Sequence, residues 1–409
     1  MIKKIYVGQL KLGMYPTDLD KVWPEHPFAQ HSFLLNEPSD LAKLLESGIT
    51  EITIDINSGI DTAPENSPYI DKISQEVDAF LAQPTLPISE ELTERSPAEE
   101  FEHATQLYEN ANQLMHDLMI KVRHDEKIDL QLCLPIIDDI VASMTRYPSA
   151  LLPLTQLKTR EEYHFQHSVS AAALAVSFGQ VLNFSQSEIS ELCIGGFLHD
   201  LGNAKIPGKI LHKPEKLDDT EFTLIKKHVD YSAEILHEIR GISEIAFESV
   251  AQHHERFDGT GYPRGLKADE ISIYGQMMSI IDSYDAICSL RAYSKPTPPT
   301  AALRRLFELS GTQFNSRLVE AFIKGVGIYP AGSLVHLASG KLGIVREVVS
   351  NRLLQPIVLV IYSCKQKSEI DPFVVDLSTS NDKIIGHESF EKWGINQARW
   401  YLTNSALTH

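Results

Sequence analysis

From about residue 98 to 326, apolar residues recur at intervals of three and four. Ala172, Val176, Gly179 and Leu182 show the spacing, and Phe222, Ile225 and Val229 repeat it. That period predicts helices packed around a core, with no alternating stretch long enough for a sheet. The flanks read differently. KKIYV near the start reads as a short strand, and LAKLLESG from Leu41 as a helix closed by Gly48. In EITIDI, Ile52, Ile54 and Ile56 alternate with Thr53 and Asp55, the period of a half-buried strand. After Pro330, SLVHLASGKLGIVREVV reads as two strands joined through Ser339-Gly340-Lys341. PIVLVIYS and PFVVDL read as further strands, and a short helix near Phe390–Tyr401 follows.

Residues 61–97 are rich in Pro, Ser, Glu and Asn, which predicts a linker with one short helix around Ile70–Leu81. At its end Ser96 can cap, Pro97 suits the first helical position, and Glu99 can reach back. The expected fold is multidomain α+β. A small N-terminal α/β domain (1–60) and the linker (61–97) precede a central all-α domain (98–328). A small β-rich module (329–409) follows. No internal repeat appears.

Composition narrows the function classes. Of 409 residues, 43% are apolar, enough for cores of ordinary size, and the formal net charge is -18. Such a surface does not attract polyanions over long range, so a DNA- or RNA-coating role is disfavoured. A small anionic substrate stays compatible, because bound cations can reverse the field inside a cleft. Cys133, Cys193, Cys288 and Cys364 are scattered without CxxC spacing and read as reduced thiols of a cytosolic protein. The first residues lack a signal-peptide core, and no apolar run is long enough to predict a membrane span. The expected location is cytoplasmic.

Histidines and aspartates in the helical region carry the chemistry: His167, His199, Asp200, His228, His253, His254 and Asp282. A single helical His is more often a hydrogen-bonded core or surface residue than a ligand. The set is what counts. His199-Asp200 follows the apolar run Ile194–Leu198, so two donors stand at the end of a buried helix, where an unpartnered carboxylate is costly. Adjacent helical side chains point about 100° apart, so such a pair can address two cations with the carboxylate bridging them. His253-His254 offers the same divergence, and His228 and Asp282 can complete the shells. Imidazole and carboxylate donors without sulfur suit Fe, Mn, Ni or Zn and disfavour a site for Mg alone. Two cations about 3.5–4 Å apart serve phosphodiester hydrolysis, with a hydroxide held between them as nucleophile. Arg291 is a candidate phosphate clamp. The segment Phe257-Asp258-Gly259-Thr260-Gly261-Tyr262-Pro263 predicts a tight loop beside the metal site, since its glycines permit positive φ and Pro263 stiffens the exit.

These motifs resemble the HD-GYP family of cyclic di-GMP phosphodiesterases. The likeness runs from about Tyr163 to Leu303. It includes His199-Asp200 with Gly202, His253-His254-Glu255-Arg256 leading into the Gly-Tyr-Pro loop, His167-Ser168-Val169, Ile206-Pro207, Leu211-His212-Lys213-Pro214, His228 and Asp282-Ser283-Tyr284-Asp285-Ala286. It implies an HD-superfamily helical bundle with the seven residues above as ligands. It also implies Tyr262, Arg264, Arg291 and Lys295 as substrate contacts, and Asp200, the residue at position 203 and Arg291 in catalysis. Residues 1–60 resemble the small DUF3391-like domain often fused ahead of such units, with Gly13-Met14-Tyr15 and Pro27-Phe28 in familiar places.

Three positions depart from the family pattern. Asn203 stands where the family usually has a phosphate-directed Lys, so one positive charge is missing. Lys205 is two residues on, in a different direction. Tyr163 stands where the trinuclear subset has a Glu, which leads us to expect two metals. Ser294 also replaces a frequent basic residue, with Lys295 adjacent. The expected activity is hydrolysis of cyclic di-GMP, or a relative such as cyclic GMP-AMP, to linear pGpG, or onward to GMP. The alternative is a weak or inactive receptor that binds the dinucleotide or a protein partner. Candidate protein partners are a diguanylate cyclase (GGDEF) domain and a second copy of the chain. A generic HD phosphohydrolase fits less well, because it leaves the Gly-Tyr-Pro segment unused.

Overall fold

A computed structural model describes all residues except 1, 8–9, 11, 20–22, 24–26, 29, 46, 48, 50, 56–57, 60–94, 160–161, 290–296, 350–351 and 403–409. Chain contacts divide it into two units, Met1–Asp71 and Lys72–His409. The predicted Gly48 stop, Ile56, the Ile70–Leu81 helix and nearly all of the 61–97 linker lie outside the described residues.

In the first unit, β1 (Ile2–Tyr6) and β2 (Pro16–Thr17) pair antiparallel with the two edges of β3 (Glu51–Asp55). Helix α1 (Pro38–Leu45) supplies Leu44 to the core, where Ile52 and Ile54 meet Met14, Leu19 and Leu35. The alternation in EITIDI thus marks the buried face of a strand.

The second unit opens with α2 (Pro97–Arg123). Its start is a capping box: Ser96 Oγ accepts from the Glu99 amide, and the Glu99 carboxylate accepts from the Ser96 amide. Helix α3 (Leu134–Arg146) leads to α4 (Tyr163–Val181), the axis of the bundle. Every residue from Gln166 to Gly179 is buried, because α2, α3, α5 (Gln186–Leu198), α8 (Ile273–Cys288) and α10 (Ser316–Val326) surround it. Small residues make this enclosure possible. Alanine and serine predominate on α4, so its neighbours approach closely. Between α5 and α8 come α6 (Asp219–Glu238) and α7 (Glu244–Ala251), and α9 (Pro299–Glu308) follows α8. The repeat drawn through Phe222 needs correction. Val229 is buried, but Phe222 is 46% exposed, because the inward stripe of α6 passes through His228, Val229, Ser232 and Leu236 instead.

A five-stranded antiparallel sheet follows, in the order β7-β6-β5-β4-β8. Its strands are β4 (Leu334–Leu337), β5 (Lys341–Glu347), β6 (Ile357–Ser363), β7 (Ser368–Asp376) and β8 (Ile384–Glu388). Gly340, with φ of 75°, turns the β4–β5 hairpin. One sheet face places Leu334, Leu342, Ile344, Leu359 and Ile361 in the same core as the helices, and the other gathers Val335, Leu337, Val345, Val358 and Val360. Sheet and bundle are therefore one packed body. The single terminal helix expected is two, α11 (Phe390–Trp393) and α12 (Gln397–Leu402), because Gly394 takes a left-handed conformation between them. Strand β8 has no counterpart in the sequence reading.

Candidate metal centre

The seven histidines and aspartates arrive from five separate stretches of the bundle. His167 is one turn into α4. His199 and Asp200 end α5, His228 lies midway along α6, and His253-His254 follow α7. Asp282 is on α8. The structure brings all seven together. Three overlapping triads, His167–His199–Asp282, His199–Asp200–His253 and His228–His253–His254, each hold their donor atoms within 4.8 Å of one another.

Local geometry aims the imidazoles. His199, His228 and His253 each turn Nδ1 onto the carbonyl three residues earlier, on Gly196, Ile225 and Val250, at 2.8, 2.7 and 2.6 Å. An Nδ1–H donated there fixes the tautomer and leaves each Nε2 lone pair facing inward. His167 turns Nδ1 to Asp285 at 2.5 Å and Nε2 to Asp282 at 3.0 Å. Asp282 and Asp285 are one turn apart on α8, so both reach the same ring. Behind them, Asp285 also accepts from the Lys158 ammonium and the Ser170 hydroxyl, and Lys158 donates to Ser289 Oγ at 3.1 Å. Asp285 and Lys158 thus form a supporting shell.

Asp200 divides its two oxygens. Oδ1 lies 3.2 Å from His228 Nε2 and 3.9 Å from His253 Nε2, while Oδ2 lies 3.8 Å from both His167 Nε2 and His199 Nε2. Imidazoles also face one another. His228 Nε2 and His253 Nε2 are 3.2 Å apart, as are His199 Nε2 and His167 Nε2. Two lone pairs opposed at that distance repel unless a proton or cation lies with them. Nitrogen and oxygen donors, no thiolate, and inward Nε2 atoms fit divalent transition ions.

Electrostatics point the same way. Burial pushes His199 down and, with its histidine neighbours, takes His253 well below the usual imidazole range. Burial likewise lowers His254 to about 3, so its ring is a neutral donor. Burial works against charge on His167 too, but the Asp282 and Asp285 hydrogen bonds outweigh it and raise this ring to about 9. Burial opposes ionisation of Asp200 as well, yet the surrounding imidazoles hold its carboxyl well below the ordinary range. This pocket calls for positive charge.

The Gly-Tyr-Pro loop lies against the centre. Glu255, fully buried, accepts from the Arg264 amide at 2.8 Å and the Leu266 amide at 3.0 Å, which closes the loop on itself. The Tyr262 amide donates to His254 O at 3.1 Å, and the Tyr262 ring centre is 4.7 Å from that of His254. A Cβ at Gly261 would meet Arg256 N at 2.3 Å, so this close return of the chain admits no side chain. The Tyr262-Pro263 peptide is cis.

The remaining candidates stand as follows. Asn203 is buried in a 3-10 turn directly after Asp200, and its side-chain amide has no partner among the described residues. Arg264 is exposed. Lys205 is exposed and holds its ammonium 5.7 Å over the Tyr231 ring. Arg291, Ser294 and Lys295 lie outside the described residues. The sequence reading gave no role to Lys158, Glu255 or Asp285. Asp285 carried a signal, its place one turn beyond Asp282. Glu255 carried a weaker one, an acid between two ligands and a glycine loop.

Comparison with known proteins agrees with the motifs. The HD domain family matches residues 146–318, and the Domain of unknown function (DUF3391) matches residues 2–133. Cyclic di-GMP phosphodiesterase PA4108 of Pseudomonas aeruginosa is 38% identical over 397 residues, covering 96% of this chain and 94% of that protein. The 3'3'-cGAMP-specific phosphodiesterase 2 of Vibrio cholerae is 35% identical over 159 residues, 39% of this chain and 30% of its own. The solved structure of Bd1817, a HDG"Y"P protein from Bdellovibrio bacteriovorus, aligns with 79% of this chain and 98% of its own at 13% identity, with a TM-score of 0.45. A 38% identity that spans nearly the full length of this chain and of the Pseudomonas protein, and an HD domain that carries the Gly-Tyr-Pro loop, place the chain in the HD-GYP family, with a DUF3391 domain ahead of the HD domain.

Proposed function

We propose that this chain is a metal-dependent phosphodiesterase that opens cyclic di-GMP, or a related cyclic dinucleotide such as cyclic GMP-AMP, to linear pGpG, with the choice between pGpG and GMP as final product left to the assay. The observation that carries the reading is Asp200, whose two oxygens face two separate groups of histidines. His167, His199 and Asp282 would hold one cation and His228, His253 and His254 the other, with Asp200 shared. Fe, Mn, Ni and Zn all suit these donors. Bound there, the pair supplies Lewis acidity and lowers the pKa of a water for attack on phosphorus. A count of two is supported by Tyr163, whose ring stacks on His167 at 5.4 Å and 12° and offers no carboxylate.

The chain's own residues do the rest. The Nδ1 anchors keep the donors from turning, and Glu255 holds the loop that carries Tyr262 beside His254. Asn203 offers an amide to the substrate in this reading, and Arg264, Arg291 and Lys295 are its further candidate contacts. In this reading the segments are the N-terminal domain 1–60, the linker 61–97, the helical domain 98–328 and the β-rich module 329–409, the last two sharing one core, and a cytoplasmic location is supported by four thiols that form no disulfide. No helix among the described residues is long and apolar enough to cross a membrane.

One experiment tests the proposal: metal analysis of purified protein joined to a product-resolved assay with cyclic di-GMP and cyclic GMP-AMP, scanning Mn, Fe and Ni. His199→Ala and Asp200→Ala should lose metal and turnover together, by about 100-fold or more in rate. Undiminished turnover in either variant rules the site out. A second reading rests on Asn203, an uncharged side chain in the turn after Asp200, where the family usually has Lys. A metal-loaded protein that binds the dinucleotide tightly without cleaving it is a receptor.

A further inference from the structure

The metal cluster is open on one side. The side chains of His167, His199, Asp200, His228, His253 and Asp282 are at most 11% exposed, whereas that of His254 is 24% exposed. Tyr262 covers this open edge, and on Tyr262 rests the ammonium of Lys226, 5.5 Å from the ring centre. Lys226 precedes His228 by two positions on α6. Its Nζ also lies 4.7 Å from the centre of Phe222, the ring that the helix leaves outside the core. No described carboxylate pairs with it. A lysine held by two aromatic faces, half-buried and without an anion, is a cation whose counter-charge comes from elsewhere.

The substrate supplies that charge. A cyclic dinucleotide has two phosphodiesters. The metal-binding residues would take the scissile one, and the other would remain anionic at the mouth of the site. Lys226 is one ring away from His254, on the open edge. Resting on the reading above, we propose that Lys226 binds the non-scissile phosphate, with Phe222 and Tyr262 as the platform that positions its ammonium. The same contact provides a phosphate-directed cation where Asn203 provides none. Phe222 is then exposed because the substrate side of α6, not its core side, needs the ring.

The test compares two diesters on the metal-loaded full chain. Cyclic di-GMP has a second phosphate, and bis(p-nitrophenyl) phosphate has none. Lys226→Met should lower kcat/KM for cyclic di-GMP by about 10- to 100-fold, the span for one lost charge-assisted hydrogen bond. It should leave metal content and bis(p-nitrophenyl) phosphate hydrolysis within about twofold, and Lys226→Arg should recover most of the loss. Phe222→Leu should raise KM in the same direction and by less. Equal loss on both diesters, or no loss on either, overturns the role of Lys226. Normal cyclic di-GMP turnover in Lys226→Met does so while leaving the phosphodiesterase reading in place. Failure of the unmodified protein to bind or cleave any cyclic dinucleotide overturns that reading, and the role of Lys226 with it.

Discussion

His167 shows how much of a candidate ligand's behaviour is set by its neighbours. Asp285 holds its Nδ1, and Lys158 and Ser170 hold Asp285. Such outer partners fix ring orientation and raise donor strength. Asp285→Asn should therefore weaken metal affinity by about 10- to 100-fold, read by competition with a chelator of known affinity, while α-helical content is kept. Unchanged affinity would remove the orienting role. At this scale the sequence is legible where two candidate donors adjoin. His199-Asp200 and His253-His254 announce divergent donors after apolar runs. Lys226, Lys158 and Glu255 are not legible, because their meaning lies in partners brought from distant segments, and a lone lysine or glutamate on a helix reads as a solvated side chain.

Elements bring the ligands within reach through close backbone approach. The turn after Asp200 presses on α6. A Cβ at Gly202 would lie 2.1 Å from His228 O and 2.5 Å from Ser232 N, and the Gly202 amide donates to Ser232 Oγ at 2.8 Å. Gly202→Ala must push the Asp200 corner away from His228. The expected result is metal content reduced to less than half, with a melting temperature several degrees lower, since backbone rather than a flexible side chain has to yield. Full metal occupancy in this variant would show that the corner moves without cost. Caps and strands with clean alternation were legible here, as Ser96-Pro97 and EITIDI show. Strand β8 was not. Gly386 and His387 interrupt any apolar alternation, and its place is fixed by pairing with β4, far back in the chain. Phe222 misled for a related reason, since spacing alone does not distinguish a ring in the core from one at the mouth of a cleft.

At the scale of the whole molecule, the sequence suggested a separate β-rich tail, and the structure makes it a wall of the helical core. Tyr401 donates to the Gly332 carbonyl, Gln156 Nε2 donates to Ala331 O at 2.8 Å, and Trp400 is buried with the bundle. The facing imidazoles have a consequence for this body as a unit. Without ions, the opposed Nε2 atoms of His228 and His253 at 3.2 Å work against the folded state, and the unfolded chain is free of that repulsion. Saturating metal at about 100 times its dissociation constant adds about 2.7 kcal/mol per site to folded stability. Chelation should lower the melting temperature by several degrees in calorimetry, and readdition of Mn or Fe should restore it. An unshifted transition would mean that the pocket tolerates emptiness. Metal supply would thus enter the folding equilibrium itself: a shortage of the bound ion would remove protein through unfolding and proteolysis, so that abundance as well as rate would follow the metal.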